Sequence, residues 1–162
     1  MKLTPNFYLE EFTNSNYAAR HGIKNIPSPQ IQQNLQVLAN ALEQVRALLG
    51  TPVKISSGYR NMELNRAIGG SSNSAHMLGY AADFDSNSYG TPKQIVKAIK
   101  DSGIEYDQLI CEGGWVHISF DPKQRNQTLT ATFKNGKATY SEFVWWIFSH
   151  LTNYTLTQGW LF

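Results

Sequence analysis

His76 and Asp83 stand seven positions apart in Ser74-Ala75-His76-Met77-Leu78-Gly79-Tyr80-Ala81-Ala82-Asp83, with a glycine between them. An imidazole nitrogen and a carboxylate oxygen are donors of the type that hold Zn2+, and a catalytic zinc takes three such donors and keeps one position open. A third donor and a base are therefore needed. A histidine followed by an aspartate is common in purely structural settings, so the rest of the chain has to supply both.

A second stretch, Glu112-Gly113-Gly114-Trp115-Val116-His117, can do so. Two β-prone runs, Tyr106 to Glu112 and Trp115 to Phe120, flank the paired glycines, which is a hairpin pattern. With Gly113 and Gly114 as the loop, Glu112 opposes Trp115 and Ile110 opposes His117. Opposed residues and alternate residues share a face, so Glu112, Trp115 and His117 point one way, and Cys111, Val116 and Ile118 the other. In an unbroken strand Glu112 and His117 would have faced opposite sides. His76, Asp83 and His117 then form a two-histidine, one-carboxylate set, and Glu112 is the carboxylate placed to take a proton from water acidified by zinc. Asp85 is the alternative base. Each histidine alone is better explained as a hydrogen-bonded structural residue.

The elements that must position these groups are legible to different degrees. Phe7 to Phe12 and Ser15 to His21 read as short helical turns, the second ended by Gly22. Ser28-Pro29 opens the strongest helix, whose Ile31, Leu35, Leu38, Leu42, Val45 and Leu49 line one face before Gly50 and Pro52 stop it. Val53 to Ser56 is a short strand, Asn61 to Ile68 a helix capped by Asn61, and Tyr80 to Phe84 a strand with Asp83 and Asp85 on one face. Thr91-Pro92-Lys93-Gln94 has capping-box spacing and opens a further helix. Thr128 to Phe133 and Ala138 to Tyr140 flank Asn135-Gly136, the strongest short cue for a type I′ hairpin. The expectation is an α+β domain with a small, mostly antiparallel sheet, helices packed on one side and the zinc site at the sheet face.

Length and charge exclude several alternatives. At 162 residues the chain can bury one sizeable core, and its net charge of +2 is spread without a basic stripe, so nucleic acid is not an expected partner. One cysteine, Cys111, precludes an internal disulfide and a cysteine-based zinc site, and on the face opposite Glu112 it reads as a small core residue. The N-terminus lacks the apolar region of a secretion signal, and no run approaches the roughly 20 apolar residues of a membrane span. Synthesis in the cytoplasm is expected.

The motifs, taken together, resemble a known family. Ser56-Ser57-Gly58-Tyr59-Arg60, Asn65, Ile68-Gly69-Gly70, Ser74-x-His76-x-x-Gly79-x-Ala81-x-Asp83, Glu112 and Trp115-Val116-His117 occur in order, within about residues 3 to 140. In this they are similar to the zinc D-Ala-D-Ala carboxypeptidase and L-Ala-D-Glu endopeptidase superfamily, peptidase M15, and its phage-encoded branch. The resemblance implies one Zn2+ on His76, Asp83 and His117, whereas Glu112 as base rests on the hairpin geometry. It also implies that Arg60 binds substrate or stabilises the oxyanion. Ser74 matches the serine two before the first ligand, where a hydrogen bond within the site is expected. Tyr59 and Trp115 read equally well as walls of the substrate cleft and as aromatic core packing. Several members place the catalytic glutamate three residues before the last histidine, where this chain has Gly114.

The implied substrate is the peptide stem of bacterial peptidoglycan, cut by a monomeric phage endolysin released on host lysis. The alternatives are a D,D-carboxypeptidase trimming terminal D-Ala and a non-catalytic zinc-binding phage structural module. Residues 1–140 would form the catalytic domain. The aromatic tail at 141–162, with Phe143, Trp145, Trp146, Phe148, Tyr154, Trp160 and Phe162, is expected to dock on that domain, although its tryptophans would also suit a membrane surface. His21 and His150 have no ligand-spaced neighbours.

Overall fold

The computed structural model describes residues 1–145. Two short helices, α1 (Leu9–Thr13) and α2 (Asn16–His21), lead to the long α3 (Pro29–Leu49). Then follow β1 (Lys54–Ser57), α4 (Met62–Ala67), a single 3-10 turn (Ala75–Leu78) and β2 (Ala81–Asp85). The helix α5 (Pro92–Asp101) precedes four strands, β3 (Gln108–Glu112), β4 (Trp115–Ser119), β5 (Gln127–Lys134) and β6 (Lys137–Glu142). The sheet order is β1-β2-β4-β3-β5-β6, and every pairing is antiparallel except β3 with β5. The expected α+β class with a mostly antiparallel sheet is borne out.

Local chemistry explains most boundaries. Ser28 accepts a hydrogen bond from Ile31 N–H and Pro29 takes the first helical position, while Gly50 closes α3 in the left-handed conformation at φ 63°. Thr91 and Gln94 form the capping box of α5. Asn135 and Gly136 both have positive φ, 51° and 73°, as a type I′ turn between β5 and β6 requires.

The core lies between the helices and one face of the sheet. Leu35, Leu38 and Leu42 of α3 and Ile95, Val96 and Ile99 of α5 pack with Phe84, Leu109, Cys111, Val116 and Ile118. Cys111 thus takes the core position expected of it. Because side chains alternate along a strand, this packing commits Asp83, Glu112 and His117 to the opposite face. Asn34 sits in the buried stripe of α3, where the apolar periodicity gives no hint of a polar group, and its Nδ2 donates to the Leu78 carbonyl at 2.8 Å. This bond ties the long helix to the turn that carries His76.

The sheet continues past the expected boundary at 140. β6 runs to Glu142, and Phe143 is buried in the core, its N–H donating to the Thr128 carbonyl at 3.0 Å. Trp145 lies near α5, with Lys97 Nζ 5.3 Å from its ring centroid. The remainder of the aromatic tail, from Trp146, and His150 with it, lie outside the described residues. His21 is exposed, its Nδ1 at 2.8 Å from the Tyr17 carbonyl.

The link into the parallel strand β5 is held by a buried carboxylate that no sequence pattern singles out. Asp107 accepts from Arg125 N and Nε through Oδ1 at 3.0 and 2.9 Å, and from Arg125 Nη2 through Oδ2 at 2.6 Å. Burial alone would raise the Asp107 carboxyl, but the Arg125 hydrogen bonds outweigh it and hold the group below the ordinary 3.8. A depressed aspartate contributes stability that is complete above its unfolded-state pKa and is lost as pH falls through the folded value. Asp107→Asn is expected to cost about 2 kcal/mol at pH 7. In urea titrations the gap from wild type should hold at neutral pH and close below about pH 4.

Candidate metal centre

β2 and β4 are neighbours in the sheet, and Asp83 is the direct partner of His117 in their register. The hairpin β3–β4 pairs Glu112 with Trp115 and Ile110 with His117, the register expected from the Gly113–Gly114 loop. His76 reaches the same face from the 3-10 turn. Ser74 Oγ accepts from His76 N–H at 3.3 Å, and Gly79 at φ 74° turns the chain back into β2. Ser74 therefore holds the turn that presents the imidazole.

Three donor atoms converge. His117 Nδ1 is 2.8 Å from Asp83 Oδ1, and His76 Nε2 is 3.2 Å from both. The other ring nitrogen of His76 fixes its tautomer. Nδ1 lies 2.6 Å from the Gly58 carbonyl, which can only accept, so the proton sits on Nδ1 and the Nε2 lone pair faces the cluster. Burial holds the His76 imidazole below its usual value despite the pull of Asp83, which keeps it neutral near pH 7. Burial alone would raise Asp83, but His76 and His117 hold it well below the carboxylate range. Four donors at about 2.1 Å from a tetrahedral ion stand about 3.4 Å apart. The spacing and the chemistry of the three groups fit Zn2+.

Two further charged groups adjoin the cluster. Glu112 accepts a hydrogen bond at its Oε2 from Trp115 Nε1 at 2.8 Å, and burial raises its carboxyl above the usual value. Arg60 follows β1, and its backbone N–H donates to the His76 carbonyl at 3.2 Å. Its guanidinium is largely withdrawn from solvent, which lowers its pKa, and it interacts with Asp83 and Glu112. Among the described residues, Arg60 Nε is buried with no hydrogen-bond partner. A groove of about 440 Å3 runs past Arg60, lined in part by Asn14, Ser15, Tyr17, Ser56 and Ser57. Tyr59 borders it, yet the residue is 9% exposed and belongs to the core cluster. Trp115 is 38% exposed. Asp85 shares the strand of Asp83 at its far end, paired with Lys54.

An α+β sheet bearing a His–Asp–His donor set on its open face defines a candidate mononuclear metal centre. Residues 5–119 match the Peptidase M15 family, and the chain belongs to it. A segment of 50 residues, 30% of the chain, is 40% identical to the zinc D-Ala-D-Ala carboxypeptidase of Streptomyces albus G and covers 20% of that protein. The family read from the ordered motifs is thereby borne out.

Gly58 was part of a motif, but its packing was not visible in the sequence. A Cβ there would meet the Phe12 carbonyl oxygen at 2.5 Å and the Phe12 Cα at 2.6 Å, both backbone atoms. Gly58→Ala must displace the carbonyl that orients His76. It is expected to lower stability by about 1–3 kcal/mol and Zn2+ affinity by about ten- to a hundredfold. Chelator competition on the folded fraction would check the second effect, which should be absent in Gly113→Ala.

Proposed function

We propose that the chain is a zinc-dependent peptidase that hydrolyses a peptide bond in the D-amino-acid-containing stems of bacterial peptidoglycan. The observation that carries this reading is the convergence of the His76, Asp83 and His117 lone pairs beside the half-buried Glu112 carboxylate and a guanidinium that lacks a partner at Nε. Membership of peptidase M15 and the name of the Streptomyces relative support the substrate class. His76, Asp83 and His117 would hold one ion, with the Gly58 carbonyl fixing the first ring. When bound, Zn2+ supplies Lewis acidity, polarising a peptide carbonyl and acidifying water.

Glu112 is the general base, taking a proton from the attacking water and returning it to the leaving amine. Burial makes its carboxylate more basic, and the Trp115 N–H restrains one oxygen. Arg60 presents a guanidinium to the oxygen on which negative charge develops, an interaction that strengthens toward the transition state. Tyr59 and Trp115 border the substrate cleft and Ser74 braces the His76 turn. Action on the cell wall as a monomeric phage endolysin completes the proposal, with a catalytic domain that takes in β6 to Glu142 and the core residue Phe143.

Among the described residues no helix is long and apolar enough to cross a membrane. The relative's name favours a second reading, a D,D-carboxypeptidase that removes terminal D-Ala. Mass spectrometry of the products separates the two, because only a carboxypeptidase releases free D-Ala.

Glu112→Gln should retain one equivalent of zinc by elemental analysis while losing about 10²–10⁴ in kcat/KM on purified peptidoglycan. Arg60→Ala should lose about 10²–10³. Stoichiometric zinc with no released amino groups in the wild type would instead indicate a non-catalytic zinc module.

A further inference from the structure

The sheet face that carries the metal centre extends beyond residues 5–119 onto β5 and β6. Its rows can be read from the register. Glu112 pairs with Trp115, Cys111 lies beside Thr130 in the parallel pairing, and Ala131 pairs with Tyr140. One row therefore crosses β4, β3, β5 and β6 as Trp115, Glu112, Ala131 and Tyr140. Phe133, two residues past Ala131, shares the face, and its ring centroid is 6.2 Å from that of Trp115 at an interplanar angle of 40°.

The aromatic residues Trp115, Phe133 and Tyr140 are 38%, 52% and 56% exposed, while Ala131 between them is 6% exposed. A small floor residue flanked by open rings makes a shallow aromatic strip. It begins at the proposed base, since the Trp115 indole donates to Glu112. The phenol of Tyr140 is raised by partial burial and by the negative charges of Glu112 and Asp83.

The charges around the strip restrict its occupant. Glu112 and Glu142, which pairs with Leu129, lie on this face. Lys134 and Lys137 pair with each other one residue out of phase and so belong to the opposite face. Glu112 has Arg60 beside it and Glu142 lies at the far end, so the described strip offers no cationic cluster to draw an anionic lipid or a nucleic acid. A neutral sugar ring fits: its C–H face lies flat on aromatic carbon, and its hydroxyl edge can reach the Tyr140 phenol and the Glu142 carboxylate. In peptidoglycan the stem peptide hangs from N-acetylated aminosugars, so a stem held at the metal centre brings such a ring alongside.

We propose that Trp115, Phe133 and Tyr140 form a saccharide-binding platform that stacks the neutral N-acetylated sugar attached to the stem peptide. The choice of sugar rests on the peptidase reading. The test titrates a peptide-free N-acetylglucosamine oligosaccharide into the full chain by calorimetry and protein-observed NMR, with hydrolysis of a sugar-free stem peptide measured in parallel. Wild type should bind the oligosaccharide. Phe133→Ala and Tyr140→Ala, at unchanged thermal midpoint, should each weaken binding about three- to tenfold, and Phe133→Tyr should retain it.

Absence of binding in the wild type, or equal binding in both alanine variants, overturns the platform. So does sedimentation showing a wild-type dimer that Phe133→Ala dissociates, which would make the strip a contact between copies of the chain. Peptide hydrolysis without saccharide binding rejects the platform alone. Saccharide binding without hydrolysis rejects the peptidase reading and leaves the platform standing.

Discussion

Three electron-pair donors held about 3 Å apart repel one another, and the scaffold must oppose that repulsion before any ion contributes. Two constraints do this. The β2–β4 register sets Asp83 opposite His117, and the Gly58 carbonyl takes the His76 Nδ1 proton so that Nε2 can only point inward. Neither is a feature of the ligands themselves. One depends on the packing of Phe84, Val116 and Ile118 against the helices, which leaves their neighbours no choice of face. The other depends on a glycine pressed against the backbone of α1.

This division of labour explains why α1 and α3, remote in sequence from the centre, matter to it. α1 receives the Tyr59 N–H on the Phe12 carbonyl, which fixes the chain just before Arg60. α3 holds the far end of the His76 turn through Asn34 and Leu78. The imidazole is thus clamped from both sides. Its precision comes from hydrogen bonds between main-chain groups and a buried amide, which are more directional than apolar contacts.

The features legible in the sequence are those encoded by neighbours in the chain. The Gly113–Gly114 loop set the hairpin register and so the side on which Glu112 and His117 lie. Ser28-Pro29, Thr91 to Gln94 and Asn135-Gly136 marked their caps and turn for equally local reasons. The parallel pairing of β3 with β5 has no such signal, because it depends on which edge of β3 remains free once β4 has folded back. Asp107 with Arg125, the buried Asn34 and the close approach at Gly58 were missed on the same grounds. Each joins segments far apart in sequence, and each polar residue looks like an ordinary surface residue until its partner is known. The candidate metal donors were legible because two of them sit on strands whose faces follow from alternation.

The parallel β3–β5 seam has an evolutionary consequence. The donor atoms occupy β2, β4 and the turn before β2, whereas β5 and β6 join the sheet through β3 alone, by a short crossover braced at Asp107. Material added or exchanged past that seam would leave the donors' register untouched. It would, however, resurface the ground next to Glu112. A sheet built in this way can diversify what it lies against while its chemistry stays fixed, much as an interchangeable jaw can be fitted to a common tool body.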